Sequence, residues 1–353
     1  METLKWKQED SREQVGKKRF QTGIYGGTFN PLHMGHLRCI IQAANLCQEL
    51  YIIISVGVNR DEIDYKVRYR WVYELTKHIG NVKIMRLEDD AATKSGYTEE
   101  YWLEDSKKVK EAIGRKIDVV FCGSDYGEDS FWHKCYADSE ILTLQRDEIS
   151  STKIRENVYQ NWEWLPNNVR PYFVKKVLII GSESTGKSTL TINLANHFNT
   201  NYIEEAGREL SERSGTDLLM LPEDFTEILL THKLNEMNAI RSSNRVLFID
   251  TDALITQFFM EFLKDEKKEQ NKRLSDAIDG LNEYDMILFL EPDVAFVQDG
   301  DRSPIIANDR ETYSKRIKEI FSGHGKEFIC IRGTYQERYE KAVELINGLL
   351  GLN

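Results

Sequence analysis

The chain is short of the features that mark secreted, membrane-spanning or nucleic-acid-coating proteins. Its five cysteines, Cys39, Cys47, Cys122, Cys135 and Cys330, form no C-x-x-C pair and no zinc-like cluster, so reduced thiols are expected in place of a disulfide framework. Six prolines in 353 residues leave little room for a long disordered linker. No apolar run is long enough to span a bilayer, and residues 1–20 are polar and charged rather than signal-like. Membrane insertion is therefore not expected, and a cytoplasmic location is. Lys and Arg number 47 against 58 Asp and Glu, and a formal net charge of −11 argues against a broad footprint for DNA or RNA. The polar tail is also too short for the packed helices of a helix-turn-helix domain.

What is present describes an ordinary globular protein, 41% hydrophobic and 30% charged, and longer than one hydrophobic core usually grows. Two domains are expected behind the tail of residues 1–20, spanning 21–165 and 166–353, with the turn-rich Asn161–Pro171 segment at the boundary. In the first half, strand-like runs at Gly23–Tyr25, Tyr51–Val56, Val82–Leu87 and Val119–Cys122 alternate with helical stretches at Leu37–Cys47, Tyr65–Ile79 and Glu99–Ile113. In the second, strands are expected at Val177–Ile180, Val246–Ile249 and Met286–Leu290, with a helix over Lys187–Phe198. This alternation predicts an α/β fold with mainly parallel sheets in both domains.

Each half carries a glycine-rich loop directly after an apolar strand. The second, Gly181-Ser182-Glu183-Ser184-Thr185-Gly186-Lys187-Ser188-Thr189, fits the Walker A pattern. Gly181 and Gly186 permit close backbone approach to phosphates, Lys187 offsets β/γ-phosphate charge, and Ser188 with Asp250 can hold Mg2+. Asp250 closes the Walker B-like strand Arg245–Asp250. Asp252 could serve a substrate hydroxyl or cap the helix that begins near Ala253, and residue type does not choose between them. Glu205 and Arg208 could face the acceptor, although a solvated helical pair is the preferred reading. Asp299-Gly300-Asp301-Arg302 could form a lid with a charge-offsetting arginine; by composition alone it is an ordinary surface turn.

The first loop runs Gly26-Gly27-Thr28-Phe29-Asn30-Pro31-Leu32-His33-Met34-Gly35-His36. Its histidines are three apart, so a helical start brings their rings together as donors to phosphate oxygens. Such a loop suits nucleotidyl transfer, where an already ionised phosphate attacks the α-phosphorus of ATP and the protein positions and stabilises charge. Ile149-Ser150-Ser151-Thr152-Lys153-Ile154-Arg155 adds hydroxyls and a cation at a helix start. Standing alone, it would read as a serine cap with a solvated arginine.

Together these segments resemble a known family. Gly26–His36 is similar to the G-x-F-x-P-x-H-x-G-H motif of the HxGH nucleotidyltransferase superfamily, and Ile149–Arg155 to its I-S-x-T-x-I-R motif. Followed by the Walker loop, Ile249-Asp250-Thr251-Asp252 and Asp299-Gly300-x-Arg302, residues 21–350 resemble the bifunctional NadR family: a Rossmann-like nucleotidyltransferase, then a P-loop kinase. The resemblance implies phosphorylation of ribosylnicotinamide by ATP in the C-terminal half. Adenylylation of the resulting nicotinamide mononucleotide to NAD then falls to the N-terminal half. It places His33, His36, Thr152 and Arg155 on ATP phosphates, Gly123-Ser124-Asp125 near the adenosine, and Arg68 near the substrates beside Trp71. For Trp102, stacking on nicotinamide is weighed against an ordinary core aromatic, and the core is preferred. Phe296 stands where relatives often have tryptophan. The alternatives are an NAD- or ATP-sensing regulator without turnover, or a fused kinase and nucleotidyltransferase acting on another substrate. Self-association stays open.

Overall fold

The computed structural model describes residues 18–57, 62–89, 98–123, 130–144, 149–207, 219–297 and 304–352. They divide into two compact units. One contains residues up to Asn157 together with Glu163–Val169; the other contains Val158–Trp162 and everything from Arg170 onward.

In the N-terminal unit, β1 (Phe20–Gly27), β2 (Cys47–Gly57), β3 (Val82–Asp89), β4 (Val119–Gly123) and β5 (Glu140–Leu144) form a five-stranded parallel sheet in the order β3-β2-β1-β4-β5. Helices Met34–Leu46, Tyr65–Thr76 and Glu99–Ile113 are its longer connections. Central strands of such a sheet are covered on both faces, which is why β4 reads as the unbroken buried run Val119–Gly123. Chain order reverses beside β1. The crevice at the carboxyl ends of β1 and β4 is therefore the topological switch point where ligands bind in open α/β sheets.

The C-terminal unit repeats the plan with β6 (Lys175–Gly181), β7 (Tyr202–Ile203), β8 (Val246–Asp250), β9 (Met286–Leu290) and β10 (Ile329–Ile331), parallel in the order β10-β9-β6-β8-β7. Its core packs the helices Lys187–His197 and Tyr335–Leu350 against β6, β8 and β9 through Leu190, Leu194, Phe248, Leu288 and Ile346. Ile179 pairs with Asp250, so the adjacent strands β6 and β8 deliver the Walker loop and its acid to the same sheet edge.

Candidate active sites

The histidine loop closes β1 and starts the helix Met34–Leu46. His33 is the N-cap, with extended backbone, and its Nδ1 accepts from the Gly35 N–H at 3.1 Å; the His33 N–H donates to His36 Nδ1 at 3.3 Å. This is a capping box built from two imidazoles. Because each Nδ1 accepts a backbone hydrogen, each neutral ring carries its proton on Nε2, an assignment made from the hydrogen-bond network. The rings meet at a tilt of 34° with centroids 3.8 Å apart, and both are buried. Gly35 leaves room for this arrangement, since a Cβ there would lie 3.0 Å from His33 Cε1 and Nδ1 and press on the ring.

The second motif meets the first. Ser151 Oγ donates to the Pro31 carbonyl at 3.1 Å, Arg155 donates to the Asn30 carbonyl and, at 3.2 Å, to Thr152 Oγ1, and Ser150 caps the short helix Ser151–Glu156 by accepting from Lys153 N–H. The cap expected of this segment standing alone is present, together with the contact to the loop. Gly26, Gly27, Thr28, His33 and His36 line a cavity of about 620 Å³, as do Ser150, Thr152 and Arg155. That volume suits a nucleotide-sized ligand.

In the C-terminal unit, Lys187 Nζ donates to the Ser182 carbonyl at 3.1 Å, and Ser188 Oγ donates to Asp250 Oδ2 at 2.5 Å. Gly186 has φ +86°, and a Cβ there would meet the Tyr335 ring at 2.6 Å, so position 186 is closed to side chains on two counts. Asp252 caps the helix Ala253–Phe262: its Oδ1 accepts from Leu254 N–H at 3.0 Å and Ile255 N–H at 3.2 Å. Of the two readings weighed for Asp252, the geometry supplies the cap. Full burial, more than the nearby Asp279, pushes its carboxyl up to about 7.

A family model described as cytidylyltransferase-like matches residues 24–157, and one described as an AAA domain matches 176–338. The trifunctional NAD biosynthesis/regulator protein NadR of Escherichia coli K12 is 28% identical over 345 residues, covering 93% of this chain and 83% of that protein. The chain is similar to NadR proteins over nearly its whole length. Two solved structures have the same fold from end to end. A NadR protein in complex with NR superposes with a TM-score of 0.78 at 22% identity, covering 95% of this chain and 98% of that one. A NadR complex with NAD and AMP-PNP gives 0.75 at 22% identity, with coverage of 96% and 98%.

The other expected residues take the following positions. Arg68, expected near the substrates, is buried; its guanidinium donates to the Thr28 and Ser55 carbonyls at 2.6 and 3.0 Å and pairs with Glu62 at 3.0 Å. It shapes the loop from behind. Phe29 is likewise buried, with its ring 4.9 Å from that of His36, and Trp71 sits in the core. Trp102, expected in the core, packs against the core cluster that includes Ile53 and Val109 and also lines the cavity beside Trp132, at 4.7 Å between centroids. Gly123 ends β4, whereas Asp125, Arg208, Asp299 and Arg302 lie outside the described residues. Glu205 is half-buried after β7, and Thr189 is exposed.

Sequence reasoning missed the groups that hold the Walker loop from behind. Arg338 donates to the carbonyls of Thr185 at 2.6 Å and Glu291 at 2.8 Å, while Arg310 donates to those of Val294 at 2.6 Å and Ser184 at 3.4 Å, its guanidinium over Phe296. His232 approaches the Asp250 carbonyl at 3.4 Å, and burial holds its imidazole below the usual range. Isolated basic residues on helices carry no motif, so only the fold identifies them.

The Ser188 hydroxyl and Asp250 carboxylate are a fitting pair of hard oxygen donors for Mg2+. Such an ion usually completes its shell with waters and phosphate.

Proposed function

We propose that this chain catalyses two consecutive steps of NAD salvage. In the C-terminal unit the ribosylnicotinamide 5′-hydroxyl attacks the γ-phosphorus of ATP, giving nicotinamide mononucleotide and ADP. In the N-terminal unit a phosphate oxygen of that product attacks the α-phosphorus of a second ATP, forming NAD and expelling pyrophosphate. The observation that carries the reading is the assembly of His33, His36, Thr152 and Arg155 on one cavity in a chain whose Walker loop also sets Ser188 on Asp250 and folds Lys187 back onto the Ser182 carbonyl.

In the adenylyl-transfer site the histidine Nε2–H groups and Arg155 donate to phosphate oxygens as charge moves onto pyrophosphate. Thr28 and the glycines before it keep the nucleotide close to the backbone. Trp102 and Trp132 offer ring faces to the pyridine. In the kinase site the loop N–H groups and Lys187 surround the β- and γ-phosphates. Mg2+ held by Ser188 and Asp250 would neutralise phosphate charge. Arg302 and Asp299 are assigned to acceptor-side closure from the resemblance, and Glu205 and Arg208 to the acceptor. The reading includes no contact with DNA or membrane; among the described residues no helix is long and apolar enough to cross one.

The test is incubation with ribosylnicotinamide, ATP and magnesium, with both products followed by chromatography. Mononucleotide should appear first and NAD after it. Failure to convert either ribosylnicotinamide or supplied mononucleotide would refute the proposal.

A further inference from the structure

We propose that a second copy of this chain docks on the exposed face of the helix Pro222–Ala239, so that the protein self-associates through its C-terminal unit with these two helices antiparallel.

This helix carries two faces that are not polar. Phe225, Ile228, Leu229, His232 and Glu236 are buried against the unit, at the three- and four-residue spacing of one helical face. That face is all an amphipathic surface helix needs. On another face Leu230, Leu234 and Met237 are 48, 58 and 49% exposed. Extended to Glu227 and Arg241, this second face advances by three, four, three and four residues. Such a repeat makes a nearly straight seam, the kind along which two helices pack at about 20°. A face turned only to water ordinarily carries polar residues. The seam continues toward the helix Lys268–Asp279: Lys233 Nζ donates to Asn282 Oδ1 at 2.6 Å, and Leu281 beside that asparagine is 71% exposed. Exposed leucines scattered singly need no explanation, whereas three in line on one helix face do.

Charge along the seam selects the occupant. Glu223 and Glu227 stand at its N-terminal end, and Arg241, in the turn Ile240–Ser242 that continues the helix, stands at the other; all three are exposed. A stripe with acid at one end and base at the other is complementary to its own reverse. Antiparallel pairing sets Arg241 of each copy against Glu223 and Glu227 of the other, with the leucines and methionine between them. Parallel pairing would lay like charge on like. Contacts within one chain, such as that of Glu223 with Lys267, do not prevent this, because a carboxylate accepts several hydrogen bonds. A two-fold axis perpendicular to the helices relates the copies, so the contact closes at two. The apolar seam is smaller than the roughly 800 Å² a side of a standard interface, and the dimer should therefore be reversible.

The test is sedimentation velocity of the full chain across roughly a hundredfold range of concentration. Wild type should shift from monomer to dimer as concentration rises. Leu234→Glu places a carboxylate at the centre of the seam and should weaken the dimer by roughly a hundredfold, with an unchanged far-UV circular dichroism spectrum because the position is exposed. Ile41→Glu, at an apolar position 51% exposed in the N-terminal unit, should leave the dimer as it is. Arg241→Glu should weaken it by roughly tenfold, as should Glu223→Lys with Glu227→Lys. All three charge reversals in one chain should restore it. Should Leu234→Glu fold poorly, the charge reversals decide. A wild type that stays monomeric at every concentration overturns the inference and leaves this face to a different partner. So does a dimer that persists in well-folded Leu234→Glu, or a triple reversal that associates no better than Arg241→Glu.

Discussion

His33 and His36 owe their orientation to one another and to a glycine. In a helix Gly35→Ala would ordinarily stabilise by roughly 0.5–1 kcal/mol. Here the added methyl meets the His33 ring at 3.0 Å and must displace it. Gly35→Ala should therefore slow NAD formation from supplied mononucleotide by roughly a hundredfold, the scale of a lost transition-state donor. Thermal stability should hold, and steady-state rates beside melting curves check both; wild-type adenylylation would show that the ring can yield. Asp252 supplies a second prediction, with the opposite sign from most buried carboxylates. Its folded-state value near 7 lies above its ordinary 3.8, so between those values the folded unit keeps a proton that the unfolded chain has released. The stability this confers is full below 3.8 and is lost as pH rises through about 7. Asp252→Asn retains a capping oxygen and does not ionise. Its stability advantage over wild type should grow by about 2 kcal/mol between pH 5 and pH 8, measured by urea unfolding of the kinase unit. A gap that is constant with pH would remove Asp252 as the titrating group.

The elements show where sequence was sufficient and where it was not. Strands buried on both faces were legible as apolar runs: Met286–Leu290 has the expected bounds, and β2, β4, β6 and β8 extend theirs by a few residues. The edge strands β5 and β10 were not anticipated. Glu140–Leu144 leaves all but Leu144 partly or fully exposed, and Ile329–Ile331 is three residues long, so neither carries the continuous signal of a central strand. The helix after the histidine loop starts at Met34 rather than Leu37, because two histidines perform the capping that serine or aspartate usually signals. The loops themselves were legible because phosphate binding fixes spacing. Their supports were not, since Arg338 reaches the Walker loop from 153 residues away. On the helix Tyr335–Leu350 it ties Thr185 to Glu291, Gly333 and Asp293 with three guanidinium nitrogens. A lysine cannot reproduce that fork. Arg338→Lys should destabilise the kinase unit by about 2–4 kcal/mol and raise the KM for ATP in mononucleotide formation, with adenylylation of supplied mononucleotide unchanged. An unaltered ATP KM would mean that the loop keeps its shape without the clamp.

At the scale of the whole chain, the two loops cleave ATP at different bonds, and their order is the reverse of the chemistry: the C-terminal unit makes the phosphate that the N-terminal unit uses. Among the described residues, the groups named at each site lie within one unit, which has its own sheet, glycine turn and polar supports. Such sites should be separable by mutation. His36→Ala should stop at mononucleotide when given ribosylnicotinamide, and Lys187→Ala should make NAD only when mononucleotide is supplied. The stronger test mixes the two variants, each inactive for the full conversion, with ribosylnicotinamide and ATP. If the intermediate leaves one molecule and enters another, NAD appears after a lag that shortens as the Lys187→Ala concentration rises, because capture of free mononucleotide is then bimolecular. Added unlabelled mononucleotide should dilute label passing from ribosylnicotinamide into NAD in the mixture and in wild type alike. Dilution in the mixture but not in wild type would show that an intact chain hands its intermediate directly from one unit to the other, a coupling that two self-sufficient sites do not require.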